Sequence, residues 1–275
     1  KVRLASILGT FQSTLTEFPY LRKIWQKNTE EERLLGVSIT GILDCALLNN
    51  IHDVGLSSRL DNLRELSVVT NKELADALGI PQSAAITCVK PSGTVSQLVD
   101  SASGIHARHS DYYIRRVRNV NKDPITAFLQ GQGVPSEADV MKPHDTTIFS
   151  FPMKAPDGCV TRDELDSFTH LKLWLTYQRH WCEHKPSVTV YVKEKDWPSV
   201  GAWVWEHFDE ISGISFLPWD GGSYKQAPYE EIDKETYLKL KEAMPVSVDW
   251  ETFLEYTDNV EGAQQLACVA GYCEV

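Results

Sequence analysis

Short runs rich in β-branched and aromatic residues alternate with helical periodicities along most of this chain, and that alternation constrains its fold more than any other feature. Strands are predicted at residues 36–44 (GVSITGILD, with a turn), 84–90 (AAITCVK), 145–153 (DTTIFSFPM), 187–192 (SVTVYV) and 214–217. Helices are predicted over residues 16–35, 59–78, 161–182, 197–211 and 230–243, with a helix-prone run directly after Pro91. Gly79 and Pro81 end the second of these. The clearest is 161–182, where Thr161 and Glu164 have capping-box spacing and Leu165, Phe168, Leu171 and Leu175 follow at three- and four-residue intervals. Strand–helix alternation of this kind predicts an α/β fold with mainly parallel strands. A loop containing Gly and Pro covers 218–228, and the periodic signals stop near Pro245. The expected division is therefore a main body, 1–245, and a peripheral helix with a flexible tail, 246–275.

Composition narrows the function classes. With 275 residues, 42% hydrophobic and 24% charged, the chain can bury a core as a soluble protein does. A formal net charge of -11 argues against non-specific attachment to nucleic acid or anionic membrane. No apolar run approaches the roughly 18 residues of a membrane span. Lys1 stands where an initiator Met would, as expected of a fragment or processed piece. The cysteines Cys45, Cys88, Cys159, Cys182, Cys268 and Cys273 fit no disulfide framework, so a reducing, cytoplasmic setting is expected.

The most informative segment is Val89-Lys90-Pro91-Ser92-Gly93-Thr94-Val95-Ser96. A strand leads into Pro91, then small hydroxyl residues and Gly93, then a helix start. Free amides at a helix N-terminus, with the hydroxyls of Ser92, Thr94 and Ser96 and close access over Gly93, suit a phosphate group. The spacing is not that of a Walker A loop, and an ordinary capped strand–helix turn would read the same way. A second feature is Cys268-Val269-Ala270-Gly271-Tyr272-Cys273, two thiols close enough to form and exchange a local disulfide. By spacing alone they could equally be incidental.

The wording KPSGTVSQLV resembles the substrate-phosphate loop of adenosylcobalamin-dependent (class II) ribonucleotide reductases. The likeness continues through Ser103-Gly104-Ile105-His106, Tyr113-Ile114-Arg115-Arg116-Val117-Arg118, Ser187-Val188-Thr189-Val190, Ser215-Phe216-Leu217-Pro218 and Gly221-Gly222-Ser223-Tyr224-Lys225-Gln226-Ala227-Pro228. It is nearest the monomeric, triphosphate-reducing type. The resemblance implies the C-terminal half of a ten-stranded α/β barrel, with residues 91–96 (Pro91, Ser92, Gly93, Thr94, Val95, Ser96) holding the substrate phosphates. It implies that Cys268 and Cys273 form a dithiol shuttle that reduces the active-site disulfide and is itself reduced by thioredoxin or a similar dithiol. It further implies a ribonucleoside triphosphate substrate, adenosylcobalamin bound by the complete enzyme, and replacement of the ribose 2′-OH by hydrogen through a thiyl radical. The N-P-C-x-E type motif that carries the radical cysteine is absent from this sequence, and neither Cys45 nor Cys88 has its surroundings. Activity should therefore require an N-terminal part, on the same longer chain or on a separate polypeptide. The alternatives are a fragment of a class I ribonucleoside-diphosphate reductase large chain and a non-catalytic nucleotide- or phosphate-binding module.

Other clusters carry less. His106 with His109, and His180-x-Cys182-x-His184, have no second group at zinc spacing, so no metal site is assigned. Arg108, Arg115, Arg116 and Arg118 read as a solvated or phosphate-facing group, and Trp197, Trp203, Trp205 and Phe208 as helix packing.

Overall fold

In the computed structural model the described residues are 1–219 and 224–254, together with the backbone pairing of two short strands near the end of the chain. Pro19 prevents the single helix expected over 16–35, because its ring excludes the helical conformation of the residue before it and its nitrogen carries no proton. Two helices form instead, α1 (Val2–Gln12) and α2 (Lys23–Glu32). Arg33 turns the chain out of α2 in the left-handed region, φ 47, and its guanidinium donates to Ser13 O at 2.7 Å, tying the two helices together.

β1 (Val37–Ser38) leads through a 3-10 turn, Ile42–Asp44, and a single helical turn, α3 (Ala46–Asn49), into the long helix α4 (Leu56–Leu78), closed by Gly79 at φ 67 as the sequence predicts. α1 lies along α4, and the buried Asn71 donates to the hydroxyls of Thr10 and Ser83 at 2.9 Å each. β2 (Thr87–Cys88) pairs parallel to β1 and is followed by α5 (Val95–Leu98), a single turn rather than the expected helix.

The longest strands come next. β3 (Tyr112–Val120) and β5 (Thr146–Lys154) flank α6 (Pro124–Gly131) and β4 (Ser136–Ala138). α7 (Ser167–His180), β6 (Val188–Val192), α8 (Trp197–Glu206) and β7 (Ile214–Pro218) continue the strand–helix alternation. β8 (Tyr229–Glu231) and α9 (Lys234–Ala243) follow, and β9 (Cys268–Val269) pairs antiparallel with β10 (Tyr272–Cys273).

Two layers result. In the first, β6 and β7 are parallel, as are β1 and β2, and Ser187 N–H donates to Val89 O at 3.2 Å to join the pairs. Helices α4 and α7 cover one face of these strands. Leu56, Leu60, Leu171, Trp174 and Tyr177 pack there against Val37, Val188, Val190 and Val192. The indole N–H groups of Trp174 and Trp181 are satisfied by Pro186 O at 3.1 Å and Cys88 O at 2.7 Å, which is what admits two whole indoles to the core. Because side chains alternate along a strand, the register partners Thr189 and Ser215 lie on the opposite, open face.

The second layer corrects the expectation of mainly parallel strands. It is an antiparallel sheet in the order β4-β5-β3-β8. β3 is the strand the sequence hid. Its three arginines break the apolar alternation, yet Arg116 pairs with Glu230 at 2.5 Å and Arg118 with Asp139 at 2.9 Å across the sheet. The helix expected from residue 230 starts only at Lys234, capped by Asp233, because 229–231 are claimed by pairing with β3. Likewise Thr161 and Glu164 do exchange capping-box hydrogen bonds, 2.8 Å from the Thr161 amide, but they close a turn before the helix. α7 itself is capped by Asp166, which accepts from the amides of Phe168 and Thr169. Of the aromatic group near α8, Trp203 is buried, whereas Trp205 and Phe208 are largely exposed, so helix packing accounts for only part of it.

Candidate functional site

The segment 90–104 leaves the end of β2, makes the α5 turn, and folds back across the end of β1. Its geometry departs from a helix N-terminus. Ser96, fully buried, returns both its amide and its hydroxyl to Ser92 O, and Ser101 N–H donates to Ser96 O at 2.9 Å. The turn therefore ends after four residues, and the helix-dipole contribution expected from sequence is correspondingly small. What remains for an anion is local. The amides of Thr94 and Val95 donate to no carbonyl among the described residues, and the Ser92 hydroxyl lies 3.2 Å from that of Thr40.

Thr40 is the residue that holds this loop in shape. Its hydroxyl donates to Ala102 O at 2.9 Å and accepts from Gly104 N–H at 3.2 Å, while the Gly41 amide donates to Ala102 O at 2.7 Å. Gly104 is required where the two ends of the loop meet. Its φ is +52, and a Cβ there would stand 2.6 Å from Lys90 O.

Behind the loop sits a buried ion pair. Arg108 donates from Nε and Nη2 to the Asp44 carboxylate at 3.0 and 2.9 Å, and from Nη1 and Nη2 to the side chain and carbonyl of Asp100. Asp100 has a left-handed φ of 45, and the two arginine contacts are what keep it there. Asp44 also accepts from Ala102 N–H at 2.7 Å. Hydrogen bonds to Asp44, Tyr113 and Asp100 hold Arg108 charged and push its pKa upward, although burial opposes this.

Two buried histidines fix the return of the loop. Thr189 N–H donates to His106 Nε2 at 3.0 Å, so the proton of a neutral ring lies on Nδ1, which faces Ser103 O at 2.9 Å. His170 Nε2 faces Ile105 O at 2.6 Å and must therefore carry the proton. The rings meet edge to face at 6.1 Å. Burial lowers the pKa of both, that of His170 to about 3 with His106 adding to the effect. His109, by contrast, stacks on Tyr229 at 5.6 Å, and burial first and Arg162 second lower its pKa to about 4. His106 and His109 thus serve separate sites. His180 faces Asp61 at 3.0 Å and His184 faces Leu35 O at 2.7 Å.

The four arginines of the sequence cluster also separate. Arg108 is internal. Arg116 and Arg118 donate to Ala227 O and Gln226 O, clasping residues 226–227 against the antiparallel sheet. Arg115 touches the 91–96 stretch of the loop, donating to Gly93 O at 3.3 Å while its guanidinium lies 5.3 Å from the Tyr229 ring. Spacing gave no signal for Thr40, which reaches its partners across more than fifty residues of chain, whereas Arg115 is legible only within the Tyr113–Arg118 likeness and a solvated or phosphate-facing group, and Thr189 only within the Ser187–Val190 likeness.

On the open face of the parallel strands a cleft of about 360 Å³ adjoins the loop at Pro91 and is lined by Lys185, Ser187, Thr189, Gly213 and Ser215. The remaining sequence candidates, Cys268 and Cys273, are register partners across β9 and β10, and their side chains lie outside the described residues. Residues 221–223, the start of the Gly221 to Pro228 likeness, also lie outside them.

This fold matches part of the barrel of a solved class II ribonucleotide reductase. The chain superposes on the crystal structure of a B12-dependent (class II) ribonucleotide reductase with a TM-score of 0.78 and 25% identity, over 90% of this chain and 38% of that one. An Actinobacillus ureae class Id ribonucleotide reductase alpha subunit shares the fold more distantly, at a TM-score of 0.53 and 13% identity. Among curated proteins, the chain is homologous to the adenosylcobalamin-dependent ribonucleoside-triphosphate reductase of Lactobacillus delbrueckii subsp. bulgaricus, 27% identical across 98% of this chain. It is 28% identical to the enzyme of the same name from Euglena gracilis across 90%. The chain spans about 40% of the length of the first of these relatives and 35% of the second. No family model matches it.

Proposed function

We propose that this chain is part of an adenosylcobalamin-dependent ribonucleoside-triphosphate reductase. In this reading residues 91–96 hold the substrate phosphates and Cys268 and Cys273 relay electrons from thioredoxin or a similar dithiol, in a cytoplasmic setting. Residues 1–245 form part of the catalytic barrel and 246–275 its redox tail. The observation that carries the proposal is the loop 90–104, closed by Thr40, Gly104 and Arg108 so that the amides of Thr94 and Val95 have no carbonyl partners among the described residues. The homology over nearly the whole chain supports it.

When bound, the cofactor supplies the radical that starts the reaction. The described residues do not fit it. The 360 Å³ cleft has Pro91, Val188 and Ile214 as its apolar lining beside Lys185 and four hydroxyl residues, and a second cavity of about 690 Å³ is lined by His109, Arg116, Arg162, Tyr229 and Glu230 among others, so neither presents the broad apolar wall a corrin ring needs. No residue of this chain is assigned to the cofactor. The contribution derived for this chain is to fix the phosphates, and the rest of the enzyme would supply the radical cysteine.

The loop is tested by the double variant Ser92→Ala/Thr94→Ala. Loss of two hydroxyl donors to a charged group, each worth roughly 1.5–3 kcal/mol, predicts binding of CTP weakened by about a hundredfold or more in calorimetry. Unchanged affinity contradicts the assignment.

A further inference from the structure

The cleft beside Pro91 has a polar lining that nothing in the fold requires. Thr189 is a buried residue, 8% exposed, yet its hydroxyl has no hydrogen-bond partner among the described residues, and the residue lines the cleft. Its position is fixed from behind, because its amide donates to His106 Nε2 at 3.0 Å and His106 in turn holds Ser103 in the return of the loop. Ser215, its register partner on β7, lines the same cleft, as does Ser187 at the start of β6. A hydroxyl open to the cleft and engaged by no other described side chain is one that a polar ligand there can hydrogen-bond.

The cleft also has a cation. Lys185 lines it and forms no ion pair among the described residues. Gly213 lets the lysine in. A Cβ there would come 2.7 Å from Pro186 O and 3.5 Å from Lys185 Cδ, so only a glycine allows segment 185–187 to lie against the start of β7. The stem of Lys185 is thus laid across Gly213 beside Pro91, the residue shared by cleft and loop.

We infer that this cleft takes the terminal phosphate of a nucleoside triphosphate and that Lys185 determines the preference for triphosphate over diphosphate. The inference rests on the proposed reading of residues 91–96 as the phosphate loop. The inner phosphates would sit at the loop, and the last would extend past Pro91 to Lys185 and the hydroxyls of Thr189 and Ser215. A triphosphate carries one more negative charge than a diphosphate, and an otherwise unpaired ammonium reads that difference directly.

The test is calorimetric titration of the 275-residue chain with CTP and with CDP, in the wild type and in Lys185→Met and Thr189→Val. The expected result is that Lys185→Met weakens CTP binding roughly tenfold while changing CDP binding less than about twofold. Thr189→Val, which keeps the shape of the side chain, should weaken CTP several-fold and spare CDP. Binding of both nucleotides by the wild type with a CTP/CDP ratio unchanged in both variants overturns this inference and leaves the loop assignment standing. Failure of the wild-type chain to bind either nucleotide overturns the loop assignment and this inference with it.

Discussion

The buried pair His106 and His170 predicts a specific dependence of stability on pH. His170 is 5% exposed, its Nε2 donates to Ile105 O, and its folded pKa of about 3 lies far below the value near 6.5 of an unfolded histidine. The unfolded chain therefore takes up a proton at this residue as pH falls through 6.5, while the folded chain does not until near 3. Stability is fully present above about 6.5 and is lost on acidification across that window. Between pH 6.5 and 5, where most carboxylates stay ionised, the loss from this one residue is about 1.5 pH units at roughly 1.36 kcal/mol each, or about 2 kcal/mol. Urea unfolding of the wild type and of His170→Gln at pH 7 and pH 5 isolates it. Glutamine can still donate to Ile105 O and does not titrate, and the contributions of His106 and His109 are common to both proteins. The variant should lose about 2 kcal/mol less than the wild type between the two pH values. Equal losses in the two proteins would show that His170 is not held neutral in the folded state, and the tautomer assignment behind the loop would fail with it.

Two further outcomes follow from the same geometry. Arg108→Met strips the partner from Asp44 and releases the left-handed Asp100, and breaking a buried pair in this way should cost about 3–5 kcal/mol in urea unfolding, with CTP binding weakened as the loop loosens. In an assembled reductase, Cys268→Ser or Cys273→Ser should abolish turnover driven by thioredoxin and spare turnover driven by dithiothreitol, a small dithiol able to reach the active site directly; thioredoxin-driven turnover at the wild-type rate would remove the shuttle role.

Much of this architecture was legible where local signals and tertiary context agree. Val188 to Val192, the helix through Leu171 and Leu175, and the Gly79 stop are all formed as the residues predict. Legibility failed where a distant partner decides. No strand was predicted over β3, and the carboxylates that pair Arg116 and Arg118 there come from residues 230 and 139. Thr161 and Glu164 made the expected hydrogen bonds, yet Asp166 five residues on from Thr161 fixes where the helix begins, since two adjacent caps compete and the sequence alone does not rank them. The proposed phosphate loop was read from its small residues, but its scaffold of Thr40, Asp44 and Arg108 is built from contacts 52 to 64 residues apart in sequence. The α5 turn was expected to be a helix because nothing local to residues 95–101 announces that Arg108 bends Asp100 out of it.

The central claim, that this chain is part of a cobalamin-dependent reductase, is tested most directly by reconstitution. The chain is co-expressed with a segment carrying the radical-cysteine motif, and deoxynucleotide formation from CTP is measured with and without adenosylcobalamin. The account predicts product only when both polypeptides and the cofactor are present. A soluble, stable complex that forms no product, or product that is independent of cobalamin, would contradict it.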